Sequence, residues 1–304
     1  LIAAIKESCH MGFWIQNGVA DIDPNPATVL QPAVNFVKKV VQLYETILVR
    51  HSLMVVGKCC GGKTCAFHVL SKSMTLANER GSEDLEKVHI ITMNPKSITS
   101  GQLYGNFDEN THEWSDGILA ISYRHLSRIA TGDMRGWMLL DGPVDAVWIE
   151  NMNTVMDDNR KLCLNSGEII KMGENQTIMI EPEDLQEASP ATVSRNGIVF
   201  MEPEKIGWVP LMESWFEVKL GGLGDGEGSL TENIPFIENL FKWMLDPATY
   251  FVLQYCVRPV PITAQELVLS ILNLLNCLYD FTESGVGSDT EKALEALFVQ
   301  AIIG

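Results

Sequence analysis

From Phe36 onward the apolar residues recur on one helical face: Phe36, Val37, Val40, Val41, Leu43, Tyr44, Ile47 and Leu48. That three-to-four-residue spacing predicts a helix with one buried side. The unbroken apolar run Leu53-Met54-Val55-Val56 follows, then a glycine-rich turn and a second predicted helix from about Lys63 to Asn78. The runs Val88–Met93, Trp137–Leu140, Thr177–Ile180 and Ile198–Met201 are short and mostly apolar, as strands buried in a parallel sheet are. A polar stretch from Gly101 to Asp116 leads into an amphipathic helix with Ile118, Leu119, Ile121, Leu126 and Ile129 predicted inward. Another helix is predicted from Ala146 to Met156, ended by Asp157-Asp158-Asn159. Turn signals at Asn165-Ser166-Gly167 and Gly173-Glu174-Asn175 bracket Glu168–Lys171 as a short hairpin. Strands alternating with helices over residues 50–201 predict an α/β unit, its mainly parallel sheet covered by helices on both faces.

The flanks read differently. Residues 1–35 form a lead-in without sustained periodicity, and His10 to Pro32, with its prolines, glycines and Asp21-Ile22-Asp23, reads as loop. The α/β domain is assigned to 36–220, a glycine-rich joint (Gly221-Gly222-Leu223-Gly224) to 221–231, and a smaller helical domain to 232–304. Within the last, Leu267, Val268, Ile271, Leu272, Leu274, Leu275 and Leu278 make a wide apolar stripe, with Thr263 as its predicted N-cap. The chain starts at Leu1 without methionine and stops at Gly304 directly after Leu297-Phe298-Val299, as a piece of a longer polypeptide, truncated in its helical domain, would.

Composition narrows the classes. A formal net charge of −17 argues against a general nucleic-acid surface, because phosphate backbones require a basic footprint. No apolar stretch reaches the roughly 18–20 residues of a membrane span, and no secretory signal opens the chain. Seven irregularly spaced cysteines do not form a disulfide pattern and point to a reducing compartment. The sequence holds neither a CxxC pair nor HExxH, which argues against zinc.

The candidate chemistry lies in Gly57-Lys58-Cys59-Cys60-Gly61-Gly62-Lys63-Thr64. A strand running into a glycine-rich turn and then a helix directs backbone N–H groups at one point, a site for polyphosphate. Lys63 would reach the outer phosphates and the Thr64 hydroxyl would sit on magnesium. Asp141, at the end of the Trp137–Leu140 run, is the natural second magnesium partner, through water. The next residue is Gly142, where a hydrolysing enzyme of this type carries glutamate, and glycine cannot orient or deprotonate an attacking water. Asp145 and Glu150 are nearby carboxylates that would either substitute or serve as ordinary surface and helix-start acids. Arg195, on the turn Ala188–Gly197, would reach either a neighbour's γ-phosphate or a surface acid. No NKxD base-reading motif is present, which leaves the GTPase reading without support.

Several stretches together resemble one family: Asn94-Pro95-Lys96-Ser97-Ile98-Thr99, Gly101-Gln102-Leu103-Tyr104-Gly105, His112–Gly117, Asp141–Asn153, Leu162–Glu168 and Ala188–Gly197. They are similar to the second AAA+ module of axonemal, inner-arm-like dynein heavy chains, over residues 36–304. Residues 10–32 fall outside the likeness, as an insertion or a gene-model error would. The resemblance implies one of six AAA+ modules in a ring that walks on microtubules and bends cilia, placing the protein on the cytoskeleton of the ciliary axoneme. It implies ATP and Mg2+ as ligands, and binding without appreciable turnover in the second module. Lys63, Thr64 and Asp141 match the nucleotide and magnesium positions, and Arg195 the arginine finger extended into the preceding module. Glu181 stands where an active site has its polar sensor residue. Implied partners are neighbouring modules and the mechanical linker, with intermediate chains, light chains and microtubules joining through the whole motor. Two other readings stay open: a hydrolysing ATPase module using Asp145 or a neighbour's carboxylate, and a nucleotide-free structural segment of the ring.

Overall fold

The computed structural model describes residues 1–11, 14–16, 19–21, 29–218, 233–278 and 290–303. The chain opens with helix α1 (Ile2–His10) and two three-residue strands, β1 (Trp14–Gln16) and β2 (Val19–Asp21). Helix α2 (Val34–Val49) then feeds β3 (Ser52–Val56), the phosphate-loop turn and α3 (Lys63–Glu79). Beyond it come β4 (Lys87–Met93), the short α4 (Ser100–Tyr104), the hairpin β5–β6 (Gly105–Phe107 and Trp114–Asp116), α5 (Ile118–Ile129) and β7 (Met134–Asp141). Two one-turn helices, α6 (Ala146–Ile149) and α7 (Asn153–Met156), precede the hairpin β8–β9 (Lys161–Cys163 and Ile169–Lys171). The core closes with β10 (Gln176–Glu181), α8 (Pro190–Arg195) and β11 (Gly197–Phe200), then α9 (Pro203–Ile206) and α10 (Val209–Phe216). Three helices complete the described residues: α11 (Ile234–Tyr255), α12 (Ala264–Leu278) and α13 (Thr290–Ile303).

The main sheet has the order β1-β2-β4-β7-β10-β3-β11, and its five strands from β4 to β11 are parallel, as the apolar runs predict. Alternate residues serve opposite faces. Leu53 and Val55 of β3, with Trp137 and Leu139 of β7, pack under α1, α2 and α3. Met54, Val56, Met138 and Leu140 pack on the other side, against α5 and the α6–α7 segment. A third cluster, around Phe241, Leu272, Leu275 and Phe298 with Met212 and Trp215, makes the helical region its own core. Thr263 caps α12 as predicted, its hydroxyl accepting from the Glu266 N–H at 3.3 Å while its own N–H donates to the Glu266 carboxylate at 2.7 Å.

Several expectations need correction. Residues 1–35 are not simply loop: α1 buries Ile5 and Cys9 in the core beside α3, and Arg80 pairs with Glu7 at 2.6 Å. The β1–β2 hairpin extends the sheet, β2 lying antiparallel to β4 through Val19 and His89. The helix expected over 146–156 is instead α6, a tight 3-10 turn at Glu150–Met152, and α7. Tyr104 donates its hydroxyl proton to the Trp148 carbonyl, an acceptor that an unbroken helix would use itself. On α5, Ile118 and Ile121 are exposed; the buried face is Leu119, Ala120, Tyr123 and Leu126, a stripe that includes a small residue and a phenol. Leu48 likewise faces out of α2. The expected glycine-rich joint at 221–231 lies outside the described residues.

Candidate functional site

The phosphate loop leaves the carboxyl end of β3, which lies between β10 and β11 although its successor β4 lies two strands beyond β10. Such a reversal of strand order opens a crevice beyond the strand ends. The loop is tied on both sides: Gly57 N–H donates to the Pro182 carbonyl at 3.3 Å, and Met201 N–H to the Val56 carbonyl at 2.8 Å. Gly57 has no room for a side chain, since a Cβ would stand 1.9 Å from the Met201 carbonyl oxygen. Cys60 and Gly62 take left-handed backbone (φ 58° and 75°), curling the chain into α3. No acidic residue occupies the first turn of α3, so its free N–H groups present an undiluted positive end.

Lys58, Cys59, Cys60 and Thr64 are exposed, and Lys63 is buried, its ammonium donating to the carbonyls of Gly57 and Lys58. The loop from Cys59 to Thr64 joins Asp141, Gly142, Glu181 and Glu183 around a cavity of about 480 Å³. The Thr64 hydroxyl donates to Glu181 Oε1 at 2.6 Å, and Glu181 Oε2 is buried without a hydrogen-bond partner among the described residues. Burial raises the Glu181 pKa and neighbouring Asp141 adds to the rise, while the Thr64 hydrogen bond and Lys63 pull the other way. No cluster of three His, Cys, Asp or Glu side chains suited to a metal is present among the described residues. Asp141, Glu181 and the Thr64 hydroxyl offer oxygen donors here, which fits a hard cation such as magnesium.

Gly142 follows Asp141, and a Cβ on it would lie 3.0 Å from Asn94 Oδ1. Asp145 is committed elsewhere: it accepts from the N–H groups of Val147 and Trp148 as the cap of α6 and pairs with Lys96. The Lys96 hydrogen bond lowers its pKa, which suits a cap and not a base. Arg195, at the end of α8, pairs with Asp157 and does not line the phosphate-loop cavity.

A second, apolar cavity of about 160 Å³ shares Cys60, Gly62 and Cys65 with the first and is walled by Leu30, Phe36, Ile206, Pro210 and Leu211. Periodicity does not mark these residues as a site, because an apolar residue lining a slot has the same spacing as one in a core. Their one signal is proximity in sequence to the two helices, α2 and α9, that flank the loop.

Two family models match the chain. Residues 22–64 match the hydrolytic ATP binding site of dynein motor region, and residues 237–303 the dynein heavy chain AAA lid domain. Human dynein axonemal heavy chain 3 is 43% identical over 252 residues, 83% of this chain and 6% of the relative. Mouse dynein axonemal heavy chain 12 is 47% identical over 227 residues, 75% of this chain and 7% of the relative. Rat dynein axonemal heavy chain 1 is 44% identical over 279 residues, 91% of this chain and 6% of the relative. The chain belongs to the dynein heavy-chain family. It spans about 6–7% of the length of these curated dynein relatives, and what it carries is an AAA-type module with an ATP-binding site. The dynein match begins at residue 22, so the family pattern enters the lead-in that the resemblance had excluded. It ends at Thr64 and takes in the phosphate loop without Asp141 or Gly142. The lid match falls on α11 to α13, the helical region with its own core.

Proposed function

We propose that this chain is the second AAA+ module of an axonemal dynein heavy chain, holding Mg-ATP as a structural and regulatory ligand without appreciable turnover. The observation that carries this reading is Gly142 following Asp141, with one candidate substitute, Asp145, engaged as a helix cap and ion-paired to Lys96. Backbone N–H groups of residues 57–64 cradle the phosphates, Lys63 turns from its carbonyl partners to the outer phosphates, and the apolar slot beside Cys60 and Gly62 takes the flat base. Thr64 and Asp141 would hold magnesium, Asp141 through water. Magnesium, when bound, neutralises charge on the phosphate oxygens. Arg195, outside its own cavity, extends into the preceding module's site as an arginine finger, with Asp157 as its resting partner.

In this reading the neighbouring modules and linker are the direct partners. Intermediate chains, light chains and microtubules join through the whole motor, in the ciliary axoneme. The experiment has two parts. Nucleotide released from the denatured, purified chain is identified by chromatography, and retained ATP is expected. In the whole heavy chain, Arg195→Ala is expected to depress turnover while nucleotide binding at this module survives; unchanged turnover removes the finger role.

The description of the model matched at 22–64 favours a second reading, a hydrolytic module. It predicts phosphate release by the chain that vanishes with Lys63→Ala, whereas the first predicts none above background.

A further inference from the structure

Glu181 is used by neither the phosphate cradle nor the base slot, yet it is 8% exposed and lines the same cavity as Asp141 and Thr64. In the parallel pairing of β10 and β7 it stands directly beside Asp141, at the interstrand spacing of about 4.8 Å. Its Oε1 accepts the hydrogen bond that the Thr64 hydroxyl donates at 2.6 Å, which leaves the lone pairs of the Thr64 oxygen free for a cation. Its Oε2 has no partner among the described residues. A buried carboxylate oxygen left unpaired is costly, and Lys63 gives it charge at a distance but no hydrogen bond, since its ammonium donates to the Gly57 and Lys58 carbonyls.

We propose that Glu181 is a direct ligand of a divalent cation, completing with Asp141 and Thr64 an oxygen site that holds the ion whether or not nucleotide is present. The proposal rests on the nucleotide reading only for its nucleotide arm. Two adjacent carboxylates carry enough charge to retain a hard cation alone, where a single carboxylate relies on phosphate oxygens to complete the site. Without the cation the same two carboxylates repel an incoming triphosphate. The second carboxylate therefore makes nucleotide affinity depend strongly on metal.

The test is a titration of Mn2+, as the metal alone, into the nucleotide-free 304-residue chain, with free Mn2+ read by electron paramagnetic resonance. Wild type is expected to bind one ion at this site. Glu181→Gln, which keeps the shape and an acceptor for Thr64, is expected to weaken that binding by roughly tenfold or more. ATP binding is then measured in EDTA and in Mn2+. Glu181→Gln is expected to bind ATP more tightly than wild type in EDTA and to lose most of the gain that Mn2+ gives wild type. A merely structural role would lower both affinities together, and that outcome overturns the proposal. So does wild type that takes up no Mn2+ without nucleotide, a measurement that decides the matter even where the variant does not fold. ATP that fails to bind under any condition, alongside Mn2+ affinity that still depends on Glu181, removes the nucleotide reading and leaves this one standing.

Discussion

Gly57→Ala has a cost that can be worked directly from the geometry. Gly57 sits where β3 turns into the phosphate loop, and a Cβ there would lie 1.9 Å from the Met201 carbonyl oxygen and 2.9 Å from its carbonyl carbon. Both atoms are backbone, so no rotamer change relieves the overlap. Restoring ordinary contact means moving the chain after β11 away from β3 by roughly 1.5 Å, in an interior packed as densely as an organic crystal. That movement breaks the 2.8 Å hydrogen bond from Met201 N–H to the Val56 carbonyl and displaces Val199 and Met201 from the core. Overpacking costs about 1–3 kcal/mol and the lost bond about 1 kcal/mol, so destabilisation of about 3 kcal/mol is expected. Gly132→Ala is the reference: a Cβ there meets nothing within 4 Å, and only its left-handed backbone (φ 61°) is penalised, by about 1–2 kcal/mol. Urea denaturation followed by tryptophan fluorescence compares the three proteins. Equal midpoint losses for the two variants would refute the reasoning, because the close approach of β11 would then add nothing to backbone strain.

Other outcomes follow from buried titrating groups and from the loop cysteines. Burial lowers the His68 pKa to about 4, against about 6.5 in an unfolded chain. The unfolded chain takes the proton first as pH falls, so this histidine's contribution to stability is present above about pH 6.5 and lost toward pH 4, by roughly 3 kcal/mol over the whole window. Urea midpoints for wild type and His68→Gln at pH 7 and pH 5 check it; parallel losses in the two proteins would assign the pH dependence to other groups. Burial also pushes the Cys9 thiol up to about 12 and the Cys65 thiol to about 11, so both should resist iodoacetamide at pH 8 while exposed Cys59 reacts. Mg-ATP should slow alkylation at Cys59 and Cys60, which line the phosphate cavity, and leave Cys163, Cys256 and Cys277 unchanged. Peptide mapping by mass spectrometry reads each site, and uniform rates with and without nucleotide would count against seating on this loop.

The central strands β3 and β7 were legible because a strand buried on both faces is apolar at nearly every position, as Leu53–Val56 and Trp137–Leu140 are. The phosphate loop was legible because backbone, not side chain, does the binding, so its glycines survive the unusual Cys59-Cys60. The lead-in was not. A nine-residue helix whose buried face is Ala4, Ile5, Ser8 and Cys9 offers three small residues and one large apolar one, and strands of three residues are too short to show a period. Pairings distant in sequence were equally hidden: nothing local joins Arg195 to Asp157, Lys96 to Asp145, or Leu30 to Leu211 across the apolar slot. Gly142 could be read as a missing glutamate, but its surroundings could not.

Those surroundings determine what replacing the glutamate would do. The direction of a side chain at residue 142 is occupied: Asn94 Oδ1 lies 3.0 Å and Pro95 Cδ 3.5 Å from where the Cβ would be. Asn94 is not free to yield, because the same Oδ1 accepts from the Lys96 N–H at 2.9 Å and holds the turn from which Lys96 pairs with Asp145. Asp145 in turn caps α6, whose Trp148 and Ile149 belong to the core beneath the sheet. Gly142→Glu must therefore displace Asn94 and disturb that chain of contacts, or direct its carboxylate away from the phosphates. We expect the variant to bind ATP and still release no phosphate above background, with a modest stability loss of about 1 kcal/mol from the strained Asn94 turn. Lys63-dependent phosphate release by Gly142→Glu would refute this, since one carboxylate would then suffice and the packing around Asn94 would be no barrier. Release obtained only when Asn94 is also truncated to alanine would support it, locating the block in the contact between the ends of β4 and β7.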